Sequence, residues 1–166
     1  MTRRFAVLAG ALLAAVSFSS CSTFDRNDVA AEVNGVELTN DDLANLASTD
    51  RLLRLFNTAP PNEGGRERFI ATLWVFLQAA NEVGALDAIT DDAVIPSLDQ
   101  TFGNDWRTGA EAEATLIDAV KFKALLDQQL LPVDDIRAAL TESEVWVSSR
   151  VGGWAQDEFA ILPFGS

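Results

Sequence analysis

One stretch of helical period constrains this chain more than any other. Phe69, Ile70, Leu73, Trp74, Phe76, Leu77, Ala80 and Val83 recur at steps of three and four. That spacing lines one face of an α-helix. No other segment carries so wide an apolar stripe, so a helix from about Arg66 to Val83 is expected at the centre of the core. Gly84 follows in the place of a left-handed helix end. Phe69, Trp74 and Phe76, at helical spacing, are expected mainly as core, and Trp74 is also a candidate lining residue for an apolar groove.

The remaining segments read as shorter elements around that helix. Ahead of it, Val29, Ala31 and Val33 alternate up to Asn34-Gly35, and Val36 and Leu38 follow. Asn-Gly between alternating apolar residues predicts a hairpin, because a type I′ turn needs positive φ at both central positions. Thr39 and Asp42 have capping-box spacing, so a helix starts near Asn40 with Leu43, Leu46, Leu52, Leu53 and Phe56 as its apolar positions. Two prolines and two glycines in TAPPNEGG end it. Thr90-Asp91-Asp92 opens a third helix, short or kinked at Pro96. After the loop GNDWRTG, residues 110–130 predict a long helix whose inner face carries Ala112, Leu116, Ala119, Val120, Lys123, Leu126 and Leu130. Lys123 is odd there, unless its stem covers the stripe while its charge stays in water. Pro132 opens a fifth helix with Ile136 and Leu140 inward. The period then switches to that of a strand at Val145 and Val147; RVGGW reads as a turn and FAILPF as a last extended piece. A lone hairpin is marginal in water, so the strands near 29–38 and 144–148 are expected to pair and close the domain. The fold class is mainly α: about five helices with short strands at both ends.

The first residues read as an export signal. Arg3 and Arg4 precede Phe5 to Phe18, a stretch of fourteen residues with no charge. Its length suits a signal-peptide core and falls short of the roughly 17–25 residues that span a bilayer. Ser19, Ser20 and then Cys21, the only cysteine, follow. This arrangement resembles a lipobox, with Phe18 where bacterial lipoproteins most often have Leu. The resemblance implies cleavage after Ser20 and a diacylglyceryl group on Cys21. Each buried methylene of an acyl chain contributes about 0.8 kcal/mol, and two chains give stable anchoring. Residues 21–28 then form a polar tether and 29–166 a single domain, lipid-anchored on the outer face of the cytoplasmic membrane. A lone cysteine cannot pair within the chain.

Composition excludes several function classes. Removing Arg3 and Arg4 with the signal leaves ten basic against 25 acidic residues, taking the formal charge from −13 to −15. A chain so acidic repels nucleic acid. Histidine is absent, which removes His-ligated metal sites, the Ser-His-Asp triad and a histidine general base. The acid pairs Asp41/Asp42, Asp91/Asp92 and Asp134/Asp135 each open a helix and read as capping and dipole-stabilising groups rather than catalytic dyads. No motif points to an enzyme, a metal or a cofactor.

Two signatures bracket nearly the whole mature chain. VAAEVNGVELTNDDL, with Val33, Asn34, Gly35, Thr39, Asp42 and Leu43, resembles the opening of the SurA-type N-terminal chaperone domain. VWVSSRVGGW, with Val145, Val147, Arg150, Gly152 and Trp154, is similar to the ending of short actinobacterial lipoprotein members of that family. Ser148, Ser149 and Val151 depart from it, where the family tends to Asn, Pro and Tyr. The resemblance implies a tethered protein that binds unfolded or assembling exported polypeptides. The chain has no room for the parvulin isomerase domain of longer relatives, so isomerase activity is not expected. Phe102 and Trp106, in a polar loop, are the candidates for an exposed apolar binding surface. Arg150 and Trp154 are expected as a C-terminal lock, the arginine satisfying backbone carbonyls. The alternative function is an envelope interaction subunit with one specific folded partner.

Overall fold

The computed structural model describes residues 26–164; the expected signal segment, Cys21 and the first part of the expected tether lie outside them. Residues 26–28, the end of the stretch expected as a polar tether, form a single 3-10 turn. Strand β1 (Val29–Val33) turns back through Asn34 and Gly35, both at positive φ (49° and 84°), into β2 (Val36–Thr39). This is the turn expected from Asn-Gly. A bulge between Val29 and Ala31 breaks the two-residue alternation, so Ala30 and Ala31 are both buried. Strand β3 (Val145–Val147) pairs antiparallel with the other edge of β1, placing Val33 opposite Val145 and Ala31 opposite Val147. The sheet order is β2-β1-β3. The two ends of the domain therefore pair, as the sequence predicts.

Asn34 is the node of this closure. Its side-chain amide donates to Glu82 Oε2 (3.0 Å) and Ser143 Oγ (3.2 Å), and its Oδ1 accepts from the Glu144 amide (2.9 Å). Its own main-chain N–H donates to the Glu144 carbonyl (3.1 Å). One turn residue thus joins the hairpin to the end of the central helix and to the start of β3.

Six helices lie between the strands among the described residues. Helix α1 (Asn40–Ala47) starts at Thr39, whose Oγ1 accepts from the Asp42 amide (3.1 Å) and donates to its carboxylate (2.5 Å). The sequence predicts one helix through Phe56; the chain breaks it at residues 48–50 and restarts as α2 (Arg51–Leu55). The apolar positions explain the break. At about 100° per residue, Leu52 would point away from Leu43 on an unbroken helix. The interruption lets Leu43, Leu46, Leu52 and Leu53 all be buried. Asn57, at φ 49°, ends α2.

Helix α3 (Glu63–Glu82) is the centre of the core, with Ile70, Leu73, Trp74, Val75 and Leu77 all buried. It begins earlier than expected because Asn62 caps it, accepting from the Gly65 amide at 2.8 Å. Gly84 takes the left-handed position (φ 67°) after it. Helix α4 (Asp91–Phe102) runs twelve residues through Pro96; the proline removes one internal hydrogen bond, that to the Asp92 carbonyl.

Helix α5 (Ala110–Asp127) departs from expectation in face and length. Leu116, Ala119, Phe122 and Leu125 point inward, whereas Leu126 and Leu130 are 45% and 64% exposed. Gln129 takes a left-handed φ of 57°, and Leu130 N–H reaches back to the Leu125 carbonyl (2.9 Å). That is a Schellman ending built on glutamine instead of glycine, so composition gives no stop signal. The buried lysine is Lys121, held by Asp91 (2.5 Å) and Asp118 (3.8 Å); Lys123 pairs with Asp127 at the surface.

Helix α6 (Val133–Glu142) buries Ile136 and Leu140 as expected. The RVGGW stretch does more than turn: β4 (Gly153–Ala155) pairs with β5 (Ala160–Leu162). Thr72 Oγ1 on α3 accepts from the Ile161 amide (3.1 Å), and Trp154 Nε1 donates to Gln156, which donates to the Leu140 carbonyl (2.8 and 2.9 Å). Trp154 thus serves as a lock through Gln156. Arg150 does not fit the role expected of it: it is exposed, and its main-chain amide bonds Ser148 Oγ (3.4 Å). Gly152 is required by close approach, since an added Cβ would lie 2.4 Å from the Leu162 carbonyl oxygen.

Three substitutions test this account by denaturant unfolding of residues 22–166. Asn34→Gly keeps the turn and loses the side-chain bonds, an expected cost of about 1–3 kcal/mol. Asn34→Ala adds the left-handed penalty of about 1–2 kcal/mol and must be the worse of the two; equal costs would show that turn geometry contributes nothing. Gly152→Ala is expected to cost about 1–3 kcal/mol by overpacking.

Candidate functional site

The three aromatic residues proposed from the sequence fall in different places. Trp74 is fully buried in the middle of α3, and so presents no surface to a partner. Trp106 is also buried, at 2% exposure, contrary to the expectation for a polar loop. Asp99 is the reason. One of its oxygens accepts from Trp106 Nε1 (2.8 Å) and from Arg107 Nη1 (2.5 Å), and Arg107 lies 4.2 Å over the Trp106 ring. The carboxylate satisfies the indole N–H, so the ring can turn inward, and the arginine covers it. The hydrogen bond from Arg107, then that from Trp106, hold the Asp99 carboxyl below its ordinary range, and the bond to Asp99 raises Arg107.

Phe102 is the residue that reaches a concave surface. It is partly buried against the core and lines one end of a furrow around α2. The furrow consists of three adjoining depressions. The widest, ≈ 520 Å³, lies between α1 and the start of α3; Ala44, Ala47, Pro60 and Pro61 line it, with Glu63 and Glu67 beside them. A second, ≈ 300 Å³, shares Pro60 and Arg66 with the first and includes Leu53. The third, ≈ 360 Å³, shares Asp50 and Arg54 with the second and ends on Phe102 and Asp105.

Local chain chemistry leaves this space open. The break at 48–50 and the left-handed Asn57 turn α2 away from the helices on either side. Pro60 and Pro61 then keep the connection extended until Asn62 caps α3. Arg66 braces the middle: its guanidinium donates to the Ala47 carbonyl (3.0 Å) and pairs with Asp50 (3.0 Å). A cation there also suits the negative end of α1. Arg51 donates to the Asp105 carbonyl and ties α2 to the α4–α5 loop. Arg54 is exposed.

Sequence reading missed the furrow. Its one legible trace is the gathering of Arg51, Arg54, Arg66 and Arg68 around the two prolines in an otherwise acidic chain. Among the described residues no group of three or more His, Cys, Asp or Glu side chains is placed to hold a metal ion. The expected acid pairs stand in the first turns of α1, α4 and α6. The arrangement offers an open, mixed surface of small apolar, proline and charged groups, suited to lying along another chain.

Asp99 supplies a pH test. A carboxyl lowered on folding stabilises the protein above its ordinary value of 3.8, and that stabilisation is lost as pH falls through the lower folded value. The gap in unfolding midpoint between wild type and Asp99→Asn should therefore close on acidification below 3.8. A gap independent of pH would refute the role of the charge. Compared with known proteins, the chain matches no family model, no curated protein and no solved structure.

Proposed function

We propose that this chain is a lipid-anchored extracytoplasmic protein that binds unfolded or assembling polypeptides along the α2 furrow, without isomerase or other enzymatic activity. The furrow carries the proposal. Its three adjoining depressions form an elongated surface, open to solvent, with small apolar groups at Ala44 and Pro60 near one end and Phe102 at the other, separated by charged groups. An extended segment could bury side chains against those groups at about 25 cal/mol per Å², without strict reading of sequence. Anchoring is supported by the Arg3-Arg4, apolar stretch and Ser-Ser-Cys21 order. No helix of the described residues is long and apolar enough to cross a membrane.

One observation favours the second reading, an envelope subunit with a single folded partner. Asp50, Arg54, Glu63, Arg66 and Glu67 make much of the furrow charged, and charged groups give specificity more than affinity.

Light scattering separates the two. Residues Ser22 to Ser166, which lack the anchoring cysteine, are added to several unrelated chemically unfolded exported proteins diluted into buffer. Suppressed aggregation near one-to-one ratio across clients is expected. Ala44→Trp fills the widest depression from an exposed helix position and should abolish the effect without lowering the unfolding midpoint. No suppression of any client would reject general holding and leave the specific partner. Intact mass of membrane-extracted protein, against Cys21→Ala, tests the anchor; an unmodified, soluble wild type would sink it.

A further inference from the structure

Asn34 is the node of the closed sheet, and the glycine after it makes that node chemically labile. Asparagine is a thermolabile residue. Its carboxamide carbon can be attacked by the main-chain nitrogen of the next residue, and glycine has no Cβ to hinder the approach. Here both residues are exposed. Even a Cβ added at Gly35 would meet nothing within 4 Å, so no neighbouring segment obstructs the reaction. An open depression of ≈ 250 Å³ lies beside Asn34, lined by Gln78, Asn81 and Glu82, and it admits water. What opposes the attack is the set of bonds that hold the carboxamide. Glu82 Oε2 (3.0 Å) and Ser143 Oγ (3.2 Å) accept from its nitrogen, and the Glu144 amide donates to its oxygen (2.9 Å). The carboxamide must leave these partners before it can turn toward Gly35. All three bonds lie at the surface, where water competes for each of them.

We propose that Asn34 is a self-modifying latch: its own hydrogen bonds gate a slow conversion to aspartate and isoaspartate, and the conversion unfastens the β2-β1-β3 sheet. In the first step the Gly35 nitrogen gives its proton to hydroxide and bonds to Asn34 Cγ. The Cγ–Nδ2 bond breaks, and the nitrogen leaves as ammonia after taking a proton from water. Water then opens the cyclic imide. Opening at Cγ gives aspartate; opening at the main-chain carbonyl gives isoaspartate. The reaction consumes water, releases ammonia and needs no oxidant. Either product replaces the amide donor with a carboxylate. Glu82 then faces a second carboxylate where it had a hydrogen bond, and like charges so close repel. Ser143 loses its donor as well. Isoaspartate also adds a methylene to the main chain, inside a turn whose central residues must both take positive φ. The hairpin thereby loses its side-chain ties to the ends of α3 and α6, beside the buried Val33 and Leu38.

The test incubates the full-length chain, folded in detergent, in mildly alkaline buffer. Mass spectrometry follows the fragment containing Asn34, and chromatography separates its aspartate and isoaspartate forms. A synthetic peptide of residues 29–39 is incubated in parallel. The folded chain is expected to gain the mass of an amide turned to an acid at Asn34, with isoaspartate in excess of aspartate, and more slowly than the peptide. Ser143→Ala removes one bond from the gate and should speed the conversion about two- to tenfold. Asn34→Asp copies one product and should lower the unfolding midpoint; Glu82→Gln in the same chain should recover part of that loss. No conversion of the folded chain while the peptide converts would overturn the proposal, as would aspartate formed without isoaspartate. Equal rates in the folded chain and the peptide would overturn the gate, and an Asn34→Asp chain as stable as the wild type would overturn the latch.

Discussion

A single left-handed residue holds the ends of this domain together. Asn34 must sit at positive φ to turn β1 into β2, and in that conformation its amide faces two other segments at once. It donates to Glu82 at the end of α3 and to Ser143 at the end of α6, and accepts from Glu144 as the chain enters β3. A short hairpin is marginal by itself. The third strand and the contact with α3 make it part of the core, burying Val33 and Leu38. The C-terminal hairpin is then seated through Thr72 and Leu140, on α3 and α6.

Helix α3 is the surface against which the other elements are fitted. It is buried over most of its length from Ile70 to Ala80, and it meets α1, α5, α6, β1 and β5. Only its first turns, around Glu63 and Arg66, reach the furrow. The furrow is thus a place where the packing stops: α2 is too short, and its connection too rich in proline, to cover the start of α3. Arg66 braces that gap instead of filling it, tying Asp50 and the Ala47 carbonyl across it. Rigid helices on either side and an open connection between them suit a surface that holds another chain.

Charge is distributed with a similar economy. Asp99 serves an indole and a guanidinium together and so lets Trp106 leave the surface. Lys121 is buried, only 8% exposed, and Asp91 and Asp118 accompany it, as a buried ammonium requires. These pairs use up cations that a strongly acidic chain has in short supply.

Local chemistry determined much of this protein directly from sequence. The Asn34-Gly35 turn, the Thr39 cap, the stripe of α3, the left-handed Gly84 and the inward Ile136 and Leu140 all follow from dihedral preference, hydrogen bonding and period. Those effects act within a few residues, so they can be read without knowing the rest of the chain. What only the tertiary structure decided depends on partners distant in sequence. The break between α1 and α2 exists because Leu43 and Leu52 must both reach the core. The rotation of α5 places Phe122 and Leu125 inside in preference to Leu126 and Leu130. Trp106 is buried because Asp99 is within reach one loop away, and β4 forms because β5 offers it a pairing edge. The furrow, above all, is a volume left between elements. Pro60, Pro61 and the left-handed Asn57 help to keep it open, but its extent is set by how α1, α2 and α3 come together.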